Sequence, residues 1–233
     1  MEHDMQDNRT PSPFQTATAG MQGTSALDTN KVIKNTYILL GMTLLFSTAT
    51  AGIAILTNAA PMHWLLSIGG IIGLLFAVMA VKNTAMALPM VFAFTGFFGY
   101  VLGPTINAYL SVPNGTEVVT TALALTAGIF FSLSAYALNT KKDFSFLSGF
   151  LFVGLIVIIA ASIAGMFFNI PGLQLAISAA AVLIFSGYIL YDTSQIINGG
   201  QTNYIMATVS LYLDIVNLFM HLLHLVTAFM GDD

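Results

Sequence analysis

The sequence has no cysteine, which excludes disulfides, thiolate metal sites and cysteine nucleophiles and leaves the redox compartment undecided. Charge is almost as scarce. Asp, Glu, Lys and Arg make up 7% of the 233 residues, against about 25% in soluble domains. With 57% hydrophobic residues and a mean hydropathy of +0.85, the chain has too little polar surface to face water all round, and it reads as an all-α integral membrane protein. Six bases and ten acids give a formal net charge of −4. They are spread over short connections and form no basic patch, so no nucleic-acid partner is expected. The first thirty residues hold no apolar core, so no cleavable signal peptide is expected and the first membrane segment acts as its own insertion signal.

What remains is a series of apolar runs. They cover about residues 32–56, 64–81, 88–110, 118–138, 146–168, 173–197 and 204–229, each near the 20 residues that carry a helix across about 30 Å of hydrocarbon. This gives seven transmembrane helices in a membrane domain of residues 31–230. Residues 1–30 are rich in Gln, Thr, Ser, Asp and Asn and read as a disordered cytoplasmic tail. With seven spans, Arg9, Lys31, Lys34, Lys82, Lys141 and Lys142 all fall on one side, while Glu117, Asp232 and Asp233 fall on the other. The positive-inside rule then places the N-terminus in the cytoplasm and the C-terminus outside. Small residues recur, as in Ala49-Thr-Ala-Gly52, Gly69-Gly70-Ile-Ile-Gly73 and Ala179-Ala-Ala181, and predict close helix packing. The 18 Phe and 12 Met read as core and lipid contact.

The last run carries the chemistry. Asp214 lies near its middle, where a carboxylate costs roughly 2.5–3.5 kcal/mol on insertion scales and so marks a protein interior. At about 100° per residue, Ser210, Asp214, Asn217 and His221 form one polar stripe, with His224 at its edge. A single polar stripe without an aqueous face predicts that this helix is central in the bundle. One other charge falls within the membrane, Asp192, roughly 7 Å from the end of the sixth span, against roughly 15 Å for Asp214 in the seventh. If tilt or a ragged boundary absorbs that difference, the two carboxyls meet. They then cannot easily both ionise, and the pair holds one shared proton: a pH-sensing dyad on an ion path. The alternative is that each Asp hydrogen-bonds a neighbouring helix and serves packing. His221 and His224 read as buried polar packing or as a proton path toward the outside, and two His without a third ligand seldom hold zinc. His63 falls in an outer loop and reads as solvated.

Leu190-Tyr-Asp-Thr-Ser-Gln-Ile-Ile197 and Ser210-Leu-Tyr-Leu-Asp-Ile-Val-Asn-Leu-Phe219 resemble the two hallmark segments of the Bax inhibitor-1 family. Asn30-Lys-Val-Ile-Lys-Asn-Thr-Tyr37, Phe92-Ala-Phe-Thr-Gly-Phe97, Leu102-Gly-Pro104, Lys142-Asp-Phe-Ser-Phe-Leu147 and Gly199-Gly-Gln-Thr-Asn-Tyr204 are similar to its bacterial YccA-like branch. The resemblance covers about residues 30–229. It implies a seven-helix bundle with the last helix surrounded by the other six, a pH-sensitive aspartate pair at Asp192 and Asp214, and a calcium leak in several members. The YccA-like branch is associated with binding and restraining the membrane-anchored AAA protease FtsH in a bacterial inner membrane. Calcium-leak relatives carry an arginine near the end of the second helix that pairs with the aspartates. Here the matching stretch is Phe76-Ala-Val-Met-Ala-Val-Lys82, with Met79 at that place. Lys82, one turn nearer the cytoplasm, is the candidate counter-charge, although lysine lacks the bidentate fork.

The enzyme readings fit poorly. An intramembrane aspartyl protease needs Gly-x-Gly-Asp at its second aspartate, whereas Asp214 follows Leu211-Tyr-Leu213. A zinc protease needs His-Glu-x-x-His, and a retinal protein needs a lysine in the last helix; neither is present. The chain is therefore expected not to be an enzyme and to hold no resident cofactor or metal, with transported Ca2+ near Asp192 and Asp214 as the cargo of a leak. Two functions are in contest: a binding module that restrains FtsH, and a pH-gated calcium or cation leak. The polar tail suits the first, because an AAA protease grips an unstructured cytoplasmic end before it extracts a membrane protein. The dyad suits the second.

Overall fold

The structure, a computed structural model, describes the backbone of residues 13–168 and 170–230, with side chains from residue 28 onward. Residues 1–12 (with Arg9), Asn169, Asp232 and Asp233 lie outside the described residues. Seven helices follow one another: α1 (Pro13–Leu56), α2 (Trp64–Val81), α3 (Ala87–Leu110), α4 (Gly115–Thr140), α5 (Ser148–Phe167), α6 (Leu173–Ile197) and α7 (Tyr204–Met230). A 3-10 turn, Ser145–Leu147, precedes α5, and no strand occurs among the described residues. All seven are long and apolar enough to cross a membrane. The connections turn where the backbone permits it. Asn114 (φ 56°) and Gly172 (φ 76°) lead into α4 and α6 in the left-handed region, which Asn and Gly tolerate best.

Residues 13–30 differ from the expected tail. Helix α1 runs back to Pro13, and its membrane-crossing part begins at Asp28 rather than near Val32. Proline suits a first helical position because its missing N–H would be unpaired there. Extending a helix already nucleated in the membrane then needs no further costly nucleus.

Helix α7 is the most buried span. Fourteen of its residues are buried, among them Tyr212 and Asp214. It packs along α6, α4 and α1 and touches α3, while α2 packs on α3 and α5 on α6. The expected ring of six neighbours is therefore a ring of four, with α2 and α5 outside it. These two outer helices have the highest hydropathy of the seven, 2.4 and 2.7, and the least burial, 6% and 11%. Apolar nearly all round, they need no protein cover and meet lipid instead.

The tightest helix pair is α1 with α3, and glycine makes it so. A Cβ at Gly103 would lie 2.5 Å from the Ala54 side chain and 2.8 Å from the Ala51 carbonyl, and one at Gly99 would overlap the Ser47 backbone. By contrast Gly69 and Gly73, expected to pack, have open space around them, because they lie on lipid-facing α2.

One end of the bundle collects the described bases. Asn203 Nδ2 donates to the Lys82 carbonyl (3.2 Å) and to Asn83 Oδ1 (2.8 Å), and Asn198 Nδ2 donates to the Lys142 carbonyl (3.3 Å). Gln195 Nε2 donates to Ser145 Oγ (2.7 Å). Asp143 accepts from the Ser145 N–H and hydroxyl, and these bonds hold its carboxyl below the usual carboxylate range. Glu117, in the first turn of α4, belongs to the opposite end.

Candidate functional site

The two membrane aspartates meet. Helix α6 presents Asp192 and α7 presents Asp214, with their carboxyl groups within hydrogen-bonding reach. Two carboxyl groups can share a hydrogen bond only when one of them carries a proton. Asp214 Oδ2 is buried and receives no hydrogen bond from an N–H or hydroxyl group of the described residues. The stagger that separated the pair on paper, roughly 7 Å against roughly 15 Å of depth, is taken up by the six-residue link between Ile197 and Tyr204, which lets α7 start further from the bilayer centre than α6 ends.

The stripe on α7 opens into a cavity of about 570 Å³, walled by α5, α6 and α7. Asp192, Ser210, Asp214, Asn217 and His221 all line it, so each expected stripe residue is where its 3.6-residue period puts it. Toward the basic end lies a second, smaller cavity of about 150 Å³, lined by Tyr191, Gln195 and Gln201. Asp192 and Ser210 line both. The aspartate pair therefore stands between the two spaces. The smaller one is roofed by the α6–α7 link, where the Gln201 N–H donates to the Gln195 carbonyl (3.0 Å) and the Asn203 N–H to Gln201 Oε1 (3.0 Å).

Lys82 is not with the pair. It follows the last residue of α2, is exposed, and lines neither cavity. Its carbonyl holds Asn203, and Asp214 lies about 16 Å further along α7 from that point, beyond the reach of a lysine side chain. Met79 is 43% exposed on the same peripheral helix. Among the residues lining the two cavities there is no Lys or Arg.

The two histidines converge on one hydroxyl. Ser178 Oγ lies 2.9 Å from His224 Nδ1 and 3.3 Å from His221 Nδ1. Because a serine hydroxyl has a single proton, it donates to at most one of the two rings. His221 also stacks on Phe185, with centroids 6.1 Å apart and 17° between planes. His63 is exposed beside Trp64. Among the described residues no group of three or more His, Cys, Asp or Glu is placed to hold a metal.

Sequence reasoning missed Tyr188 and Ser162, which also line the larger cavity, and Ser178. Ordinary in a membrane helix, these side chains gain their place from the faces that α5 and α6 turn toward α7. It also missed Tyr212, fully buried on the opposite side of α7 and bonded to Ser47 Oγ at 2.7 Å.

Known proteins align along nearly the whole described chain. The family described as "Inhibitor of apoptosis-promoting Bax1" matches residues 29–231. An uncharacterized protein of Pseudomonas aeruginosa is 50% identical over 202 residues, 87% of this chain and 91% of that protein. The modulator of FtsH protease YccA of Escherichia coli is 48% identical over 200 residues, 86% of this chain and 91% of that protein. An uncharacterized membrane protein of Vibrio cholerae is 44% identical over 223 residues, 95% of this chain and 99% of that protein.

Proposed function

This chain belongs to the Bax inhibitor-1 family, and from that premise we propose that it binds and restrains a membrane-anchored AAA protease of the FtsH type in a bacterial inner membrane. One observation carries the reading: the 48% identity to the E. coli modulator of FtsH, which extends over 91% of that protein. The role is that of a binding partner and not of an enzyme. The basic end of the bundle faces the cytoplasm, since the excess of Lys on that side sets orientation, and the C-terminus is then periplasmic. The polar first thirty residues stand on the protease side. They are the segment such a machine would engage, and the helices behind them satisfy their backbone groups internally, so they resist extraction. A handle that is gripped on a body that unfolds slowly occupies the protease. The test is purification of a tagged chain from native membranes in mild detergent. The full chain is expected to bring an FtsH-type protease with it. A variant without about the first 25 residues should lose that partner, persist longer in cells and still purify as a folded bundle. A truncated chain that turns over as fast as the full one would remove the handle from the account.

A second reading, a pH-gated calcium or cation leak, is favoured by the position of Asp192 and Ser210 between two cavities. Here Ca2+ is cargo, passing the Asp192–Asp214 pair with Ser210, Asn217 and His221 along the path. The titratable groups around the pair are Tyr188 and Tyr191 on α6 and His221 on α7. Liposomes carrying the protein should pass Ca2+ at a rate that varies with pH. Asp214→Asn should flatten that variation, because an amide cannot form the like-charge pair. A pH profile unchanged in both Asp192→Asn and Asp214→Asn would end this reading.

A further inference from the structure

The larger cavity has a shape that neither reading uses. Helix α5 packs on α6 but not along α7, so the space between α5 and α7 is not closed by helix packing. On the α5 side it is edged by Ile159 and Ile163, which are 47% and 53% exposed. Around α7, the most buried helix, this is where the polar stripe is left uncovered: Ser210, Asn217 and His221 are each only half-buried. In a bilayer such a cleft faces acyl chains. Its walls are apolar and its floor is acidic.

The floor carries the two carboxyls, with Ser210, Asn217 and Tyr188 beside them. Asp214 is 6% exposed, and no N–H or hydroxyl group of the described residues reaches its Oδ2, so within the protein the Asp192 carboxyl is the partner left to it. Asn217 donates one amide N–H to the Leu213 carbonyl at 2.8 Å and also lines the cavity. The aspartate pair with one shared proton carries one negative charge, and no Lys or Arg lines the space to offset it. A resident divalent cation suits this poorly. Calcium takes six to eight oxygen ligands, and no group of three or more His, Cys, Asp or Glu placed to hold a metal exists among the described residues. A group with one positive charge, several N–H donors and an apolar body matches every wall.

We propose that the cleft between α5 and α7 is a lipid-accessible binding site for primary amines carried on an apolar chain. The ammonium sits against the Asp192–Asp214 pair, beside Asn217. The chain lies between Ile159 and Ile163 and runs out into the bilayer. An ammonium has three donors, and the carboxyl oxygens of the pair are its acceptors. The site is independent of protease binding.

The test uses the full-length protein in lipid nanodiscs and three probes of equal chain length: dodecylamine, dodecanol and dodecyltrimethylammonium. Dodecylamine should bind saturably and raise the thermal midpoint, as a ligand selective for the folded state must. Dodecanol, without charge, and the trimethylammonium, without N–H donors, should bind at least about tenfold more weakly, in line with the loss of a buried charge or its hydrogen bonds. Two variants separate the site from general partitioning. Asp192→Asn with Asp214→Asn removes the charge, and Ile163→Trp fills the cleft without touching an acid. Each should abolish saturable dodecylamine binding while keeping its own amine-free melting transition. Equal binding of dodecanol and dodecylamine would overturn the proposal, and so would undiminished binding to Ile163→Trp.

Discussion

Gly99→Leu is expected to separate α1 from α3 and to lower the melting midpoint of the protein. A Cβ at Gly99 would lie 2.5 Å from Thr50 Oγ and 2.6 Å from Ser47 Oγ, and would overlap the Ser47 carbonyl, which is backbone and cannot rotate away. The helices must part, and with them goes the Ser47 contact to Tyr212 on α7. Overpacking of a tight core costs about 1–3 kcal/mol, occasionally more; with a backbone carbonyl in the way, the upper end applies. For a chain of this size that corresponds to a melting midpoint roughly 5–10 °C lower. Gly41 is the control. It lies on α1, the helix that Gly99 packs against, and a Cβ there meets nothing within 4 Å, so Gly41→Leu should melt close to the parent. Thermal unfolding in detergent compares the two, and equal midpoints would contradict the packing described for α1 and α3.

Tyr212→Ala should be at least as damaging, and Tyr212→Phe far less. The Tyr212 ring sits edge-on to Phe94 and Phe98, with centroids 5.9 and 5.8 Å away, and it is fully buried. Its hydroxyl contacts Ser47 Oγ at 2.7 Å and the Thr95 carbonyl at 3.3 Å. Emptying an aromatic site costs about 3–5 kcal/mol. A hydrogen bond between membrane helices averages only about 0.6 kcal/mol, with a maximum near 1.7. Packing should therefore outweigh the hydroxyl severalfold at this position. If the Phe variant lost as much stability as the Ala variant, the polar link between α1, α3 and α7 would be the larger force.

Much of this was legible in the sequence because a bilayer simplifies the code. Apolar runs must be helices, so Trp64–Val81 and Leu173–Ile197 come out with the same ends in sequence and structure. A polar stripe on one apolar helix must face protein, which placed α7 at the centre and put Ser210, Asp214, Asn217 and His221 into one cavity. Other features depend on how helices stand against one another, and no period in one helix encodes that. The contact between Asp192 and Asp214 rests on the relative height of α6 and α7. The distance of Lys82 from that contact rests on α2 packing against α3. The gap between α5 and α7 is of the same kind, since an evenly apolar α5 has no face that says which side it shows. The helical backbone of residues 13–30 was hidden for the opposite reason: their polar composition reads as tail, while continuity with a membrane helix extends α1 to Pro13.

The central claim is restraint of a protease, and degradation kinetics test it most directly. An FtsH-type protease is reconstituted into vesicles with a membrane substrate, with ATP, and with or without an equimolar amount of this protein. The account predicts that the substrate is degraded several times more slowly when the full chain is present, and at the original rate when about its first 25 residues are removed. Degradation at the same rate with and without the full chain, under conditions where both are shown to be in the same vesicles, would contradict it.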